Sequence, residues 1–320
     1  MATVTISTEA ELIEEYYNKV FLNELRANTV FAGWGLKSTH PRNQGELVHW
    51  LSIADFSASP ALTEGTDPDE TNLSAGDLTA ALAQYGQTVK ISDILQGTWV
   101  PQSMVEVMER LARAAALEID TVIRDSNFTA GGSAQYGGTA VARNSIATDG
   151  TFDMDIAEVR ESLNSLETLK AQPYPDGFYR GIINQDVKYD LQGDTANWQE
   201  ILKHTESGMG DMRTFGNAAS SGMGKGVVGR LFGVEFILSQ QALKMVASGS
   251  ANTDVYQSYI FGPEHYGVSE FEDIKTIIKN PSPVSTLDLY GTVGFKMAFA
   301  TRELNSSRMI RVESGAVLGD

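Results

Sequence analysis

Four histidines, His40, His49, His204 and His265, are the imidazoles on which acid–base or metal chemistry could rest. No two stand at a spacing that sets both rings on one helix face, and H-E-x-x-H is absent. The chain has no cysteine, which removes disulfides, thiolate zinc sites and thiol nucleophiles together. No G-x-S-x-G places a serine on a nucleophile elbow. Asp67, Asp69 and Glu70 are spaced like the start of a calcium loop, but no Gly holds the sixth position and no Glu the twelfth. They read as a solvated acidic turn. Asp153 and Asp155 are near neighbours, yet Asp155 opens D-x-x-E with Glu158, a helix-capping sequence. Gly224, Gly226 and Gly229 spell G-x-G-x-x-G, which binds dinucleotides only between a strand and a helix. Here Ala218–Gly222 precedes it and an alternating run, Leu231–Leu238, follows. Lys225 follows Gly224, but Ala219 replaces a P-loop's first Gly and Gly226 its Ser/Thr. These residues imply no catalytic constellation, no cofactor site and no metal set, so the chain reads as non-enzymatic.

The elements that could position such residues come next. Thr8 and Glu11 form a capping box, and Leu12, Ile13, Tyr16, Val20 and Phe21 recur at helical spacing. Phe31–Gln44 is turn-rich, so this helix reads as an arm beyond a loose connector. Glu46–Ile53 alternates as a strand, with Leu47, His49, Leu51 and Ile53 on one side and Val48 and Trp50 on the other. Leu78–Ile91 reads as one longer strand, with Thr79, Ala81, Ala83, Tyr85, Gln87, Val89 and Ile91 in one row. A two-stranded ribbon with a long tip is marginal in water by itself, so its apolar positions call for a partner surface.

From Gln102 to Asn127 the pattern is helical, opened by Pro101 and striped by Met104, Met108, Leu111, Ala115, Ile119 and Val122. The pairs Glu106–Arg110, Glu109–Arg113 and Asp120–Arg124 predict a polar face. Thr129–Asp149 reads as a loop, and a second helix starts at Asp155 and buries Ile156, Val159, Leu163, Leu166 and Leu169. Beyond Gly177 the predicted strands are Tyr179–Asn184, Leu231–Leu238, Val255–Phe261, Ile274–Lys279, Leu289–Thr301 and Met309–Glu313. Val187–Leu191 and Trp198–Leu202 read as helices, and Ser207–Gly233, with eight glycines, as a long loop.

Composition bounds the partners. Among 320 residues, 41 acids oppose 24 Lys and Arg, a net charge of −17, which disfavours coating of nucleic acid. Met1–Glu15 has no Lys or Arg, the reverse of a signal peptide's start, and no apolar run reaches a membrane span of about 18 residues. The expectation is a protein made in a cytoplasm, with no membrane partner. The charge is uneven: Asn43–Val89 holds seven acids (Glu46, Asp55, Glu64, Asp67, Asp69, Glu70 and Asp77) and no Lys or Arg, whereas Phe271–Asp320 holds six acids and six bases. The acidic stretch reads as a solvated surface hairpin or, alternatively, as an extended arm lying on a neighbouring subunit.

Four segments in this order resemble one family: ALAQYGQTVKISDIL (Ala81–Leu95), the start of the long helix (Pro101–Ala114), YRGIIN (Tyr179–Asn184), and GTVGFKMAFATRELN (Gly291–Asn305) leading to MIRVESGA. Together they resemble the HK97-like major capsid proteins of tailed bacteriophages, in particular the phage N-four type, over nearly the whole chain. The resemblance implies an α+β fold: an N-terminal arm (1–30), an extended β-hairpin loop (31–94), a peripheral domain with a long spine helix (95–176), an axial domain (177–280) and a return to the peripheral domain (281–320). It implies pentamers and hexamers of an icosahedral shell around packaged DNA, without sequence-specific binding. The shell would be assembled in the host cytoplasm with a separate scaffolding protein, a portal and decoration proteins. The interface residues it implies are Trp50, Phe56, Glu64, Asp67, Asp69, Glu70, Asp77 and Tyr85. An arm-lysine crosslink is disfavoured, because Asn43–Val89 has no Lys. Alternatives are a cargo-enclosing bacterial compartment of the same fold, an α/β enzyme binding a small anion at Gly224–Gly229, and a tail tube protein, which the long helix opposes.

Overall fold

The computed structural model of the chain describes residues 18–25, 29–53, 61, 64–65, 72, 75–92, 94–95, 103–147, 150–193, 227–279 and 289–318. The Thr8–Glu11 capping box, Pro101, the Trp198–Leu202 helix, His204, Gly224 and Gly226 lie outside the described residues.

The helical stripe after residue 102 folds as α1 (Ser103–Asn127). Its buried side chains, Met108, Leu111, Ala112, Ala115 and Ile123, fall at helical spacing and lie on a four-stranded sheet. The sheet order is β1 (Leu36–Thr39), β11 (Tyr266–Lys279), β12 (Tyr290–Glu303) and β4 (Ala83–Ser92). β1 runs parallel to β11, and the other pairs are antiparallel. Val293, Phe295, Met297 and Phe299 form the buried row of β12, as its period of two requires. Residues 18–25 are helical, and Phe21 meets Phe295 at 5.8 Å, which supplies the packing partner that the terminal stripe needed.

A second sheet runs β5 (Ser133–Tyr136), β13 (Met309–Ser314), β10 (Val255–Phe261), β6 (Tyr179–Ile183), β8 (Val234–Leu238) and β7 (Val227–Leu231), with β9 (Lys244–Met245) on β10. Every residue of β6, β10 and β13 is buried. α2 (Ile156–Thr168) covers this sheet with Ile156, Val159, Leu163 and Leu166, and α3 (Gln185–Gly193) adds Val187 and Leu191. Asp155 caps α2: its side chain accepts from Ala157 N at 2.6 Å, while Glu158 accepts from Asp155 N at 3.1 Å. A third, two-stranded piece pairs β2 (Leu47–Ile53) with β3 (Ala75–Ala81).

Several local expectations are corrected. The run Leu78–Ile91 is two strands, β3 and β4, separated at Leu82 because each pairs with a different partner. The run Leu231–Leu238 is a hairpin, because Phe232 and Gly233 both take positive φ (49° and 87°) and turn the chain between β7 and β8. The end of the Ser207–Gly233 segment, Val227–Leu231, is thus β7 rather than loop. The Thr129–Asp149 loop contributes the edge strand β5, and the turn-rich Phe31–Gln44 contributes β1. The strands also group differently from the segments 177–280 and 281–320. β11 pairs with β12 across that boundary, and β13 crosses to the second sheet between β10 and β5. Strand alternation marks which side of a strand is buried, but not the sheet it joins.

Candidate assembly interface

The ribbon β2–β3 forms a two-stranded sheet of its own, and the site is built from its root outward. Val30 and Phe31 precede β1, and their backbone N–H groups donate to the carboxylate of Asp120 on α1 at 2.7 and 3.1 Å. Asp120 is buried, and that burial pushes its pKa up to about 6 against the opposing N–H bonds and the charge of Arg124. The predicted Asp120–Arg124 pair is therefore not the partnership formed: Arg124 binds Asp125 at 2.7 Å and the carbonyl of Gln241 at 2.8 Å. Arg113 likewise takes Glu24 at 2.7 Å, while Glu106–Arg110 forms as predicted at 2.7 Å. The Tyr266 hydroxyl donates to the Phe31 carbonyl, and Tyr174 donates to the Trp34 carbonyl at 3.0 Å. The Arg180 guanidinium lies 4.3 Å over the Trp34 ring. Helix and both sheets thus hold the root.

The ribbon itself has two unlike faces. Val48 and Trp50, with Leu78 and Ala80 of β3, pack on Ala300 and Leu304 beside β12. Arg302 donates to the Thr79 carbonyl at 2.5 Å, and Leu82 N to the Glu46 carbonyl at 3.0 Å, which closes the base. The other face carries Leu47, His49 and Leu51, all exposed; Leu51 is 72% exposed. His49 Nδ1 lies 2.8 Å from Asp77 on that face.

The predicted interface residues divide accordingly. Trp50 is buried against Ala300 of its own subunit and anchors the ribbon. Tyr85 is half-buried, 5.1 Å from Phe299, on the core side of β4. Asp77 and Glu64 are exposed, the latter in a turn with Gly65. Phe56, Asp67, Asp69 and Glu70 lie outside the described residues. Leu47 and Leu51 were visible as one alternating row, but not as its exposed side. Asp120 was masked by its i,i+4 spacing to Arg124.

Three further charged clusters, at Glu313, Arg180 and Glu158, are interior braces. Glu313 is buried and receives two bonds from Arg143, at 2.6 and 2.7 Å, and one from Arg311 at 3.0 Å. Burial opposes its ionisation, yet Arg143 and Arg311 hold its carboxyl below the usual range. Arg180 joins Glu235 at 2.6 Å and Asp176 at 2.5 Å. Glu158 is pushed up to about 7, first by burial and then by Asp155, while accepting from Gly138 N at 2.9 Å. His265 is buried, with its nitrogens 3.1 and 3.3 Å from the carbonyls of Asn305 and Asn127, and His40 lies 3.1 Å from the Gly45 carbonyl. An open groove of about 660 Å³ between β5 and α2 holds Glu161, Asn164 and Gln135, but no imidazole. Among the described residues no three His, Asp or Glu side chains cluster to hold a metal, and no helix is long and apolar enough to cross a membrane. Gly229 lies in β7 and is followed by the β8 hairpin rather than a helix, so the glycine fingerprint has no phosphate-binding context there.

No protein-family model matches the sequence, and no curated protein matches it. Solved structures do match. The capsid of Ralstonia phage GP4 superposes with a TM-score of 0.70 at 12% identity, covering 91% of this chain and 92% of that one. The capsid of cyanophage P-SCSP1u gives 0.63 at 14% identity, over 90% and 88%. A virus-like particle from Pyrococcus furiosus gives 0.53 at 10% identity, over 94% and 99%. The chain has the HK97-like capsid fold over nine-tenths of its length, with the α+β composition that the resemblance implied.

Proposed function

We propose that this chain is the structural subunit of a closed icosahedral shell that encloses a phage genome. The observation that carries the reading is the end-to-end match to a phage capsid subunit, 91% of this chain on 92% of that one. Heterologous contacts that close on themselves make rings, and rings make shells. A ribbon with an exposed face that carries Leu47 and Leu51 suits such contacts. In this reading residues 31–94 are the extended loop, 95–176 and 281–320 contribute the peripheral domain, and 177–280 is mainly the axial domain. With the first sheet read as peripheral and the second as axial, β11 would go with the peripheral domain, and β5, α2 and β13 with the axial one. The role is non-enzymatic. The net charge of −17 keeps the inner wall from gripping packaged DNA. Scaffolding, portal and decoration proteins would be separate chains, met in the host cytoplasm before the subunit resides in the virion.

The test is electron microscopy of the chain expressed alone and with the scaffolding protein encoded beside it. Closed particles of megadalton mass are expected. A strictly monomeric chain under all of these conditions overturns the reading.

A further inference from the structure

Among the described residues the chain passes between its two large sheets at three places: from α1 to β5 through 128–132, from β10 to β11 through 262–265, and from β12 to β13 through 304–308. One imidazole meets all three crossings. His265 lies on the second of them, with none of its side chain exposed. Its Nδ1 is 3.1 Å from the Asn305 carbonyl on the third crossing. Its Nε2 is 3.3 Å from the carbonyl of Asn127, the last residue of α1, where the first crossing begins. Its own carbonyl accepts from Leu304 N at 2.7 Å and from Asn305 N at 3.1 Å. The rings of Phe128, Tyr266 and Phe261 stand 5.2, 5.9 and 6.3 Å away. A change at this ring bears on every link of the chain between the two sheets.

The pocket suits neither protonation state fully. A neutral imidazole has one N–H, so one of the two carbonyls receives a bond and the other faces a lone pair. An imidazolium would donate to both, but as a buried cation without a carboxylate at hydrogen-bond distance. Glu303 on β12 is the carboxylate that faces it, 3.9 Å from Nδ1, and its Oε1 already accepts from Gly132 N at 3.0 Å. The other charged groups on the packed elements are engaged elsewhere. Glu264 holds Arg308 at 2.8 Å, and Arg124 holds Asp125 at 2.7 Å. Arg311 donates to the carbonyls of Thr129 and Gly131 at 2.9 and 3.0 Å. The Tyr266 hydroxyl turns to the Phe31 carbonyl. Burial holds the imidazole below its ordinary pKa, against the pull of the Asn305 carbonyl, Glu303 and the Asn127 carbonyl.

We propose that His265 is a proton-operated lock between the two sheets: the neutral ring lets the three crossings pack together, and the charged ring favours a state in which they part and water reaches it. An exposed imidazole takes its proton near pH 6.5, more readily than the packed one. The lock is therefore at full strength above about pH 6.5 and weakens as pH falls below it, until the packed ring is itself charged. It belongs to the subunit and acts whether or not the chain closes shells.

Hydrogen exchange of the full chain, read by mass spectrometry at pH 7 and pH 5 and corrected for the intrinsic rate, tests it. Protection at residues 127–132 and 303–306 is expected to fall at least about fivefold on acidification, while β8 keeps its protection. His265→Gln cannot take a charge and should abolish the response. Glu303→Gln keeps an acceptor for Gly132 N but removes the one charge that favours the imidazolium in the packed state, so the response should grow. Constant or rising protection at the crossings of the parent overturns the proposal, and so does an undiminished response in His265→Gln. If His265→Gln does not fold, Glu303→Gln decides: a larger response supports the lock, and an equal or smaller one overturns it.

Discussion

The indole of Trp50 fills the space that a side chain on Gly267 would need: a Cβ at 267 would lie 2.9 Å from Nε1 and 3.0 Å from Cε2. The ribbon is therefore seated on β11 by a matched pair, a large ring on one strand and a missing side chain on another. Replacing Gly267→Ala is expected to lift the ring and Trp50→Ala to leave a cavity. The second costs on the order of 3 kcal/mol, at the low end for buried aromatics because the cluster is small. Limited proteolysis should cut both variants within residues 46–81 faster than the parent, while global melting changes less. Equal cleavage would place the ribbon's anchor elsewhere.

Asp120 predicts a pH dependence with a definite sign. Its pKa is raised by folding, from the ordinary 3.8 to about 6, so the folded state holds the proton more tightly than the unfolded state. Stability from this group is fully present below about 3.8, falls as pH rises through about 6, and is level above that. Asp120→Asn removes the slope. The stability difference between variant and parent should move in the variant's favour by up to about 3 kcal/mol between pH 4 and pH 7. Urea midpoints at the two pH values measure it, and a constant difference would show that Asp120 is not the titrating group.

Glu313 has the opposite tendency. Its carboxyl is held below the usual range between Arg143 and Arg311, so its contribution is present at neutral pH and is lost on acidification through its lowered pKa. Glu313→Gln leaves two guanidinium groups facing a neutral amide inside the second sheet. A loss of about 3 kcal/mol is expected, the range for breaking one side of a buried ion pair. Chemical unfolding at pH 7 should show it, and a loss below about 1 kcal/mol would mean water replaces the carboxylate.

The β7–β8 turn offers a stabilising change. Phe232 and Gly233 have φ of 49° and 87°, and Phe232 is 44% exposed at the turn. Asn tolerates this backbone far better than Phe, and Asn-Gly is the favoured pair for such turns. Phe232→Asn is expected to raise stability by about 0.5–1 kcal/mol, read as an increase in melting temperature. A lower melting temperature would show that the Arg160 contact, 6.0 Å from the Phe232 ring, matters more than the backbone.

Local elements were legible wherever one chemical rule decided them. Asp155 and Glu158 announced the cap of α2, and the stripe from Met104 to Val122 announced α1. The alternation of β12 and β10 marked strands within a residue or two of their ends. The site was less legible. Trp50 stood in the predicted interface because it is large and lies in the acidic arm, and nothing nearby in sequence shows that Gly267 leaves room for it. Asp120 looked like a surface partner of Arg124 because their spacing permits it, and only the placement of Val30 and Phe31 turned its carboxylate inward.

The amino-acid sequence by itself determined the helical stripes, the strand alternation, the helix cap, the lack of thiol chemistry and the concentration of acid between Asn43 and Val89. These follow from side-chain type and from periods of 3.6 and 2, which act within a few residues. Only the tertiary structure decided that β11 and β12 share a sheet while β13 leaves it, that Leu82 divides one apparent strand, and that Lys90, Thr292 and Lys279 fall in one row across three strands. Lys90 and Lys279 are 189 positions apart and are brought level by their common partner, Thr292. Strand register over such separations is set by which buried faces can close together, and no local pattern encodes that choice.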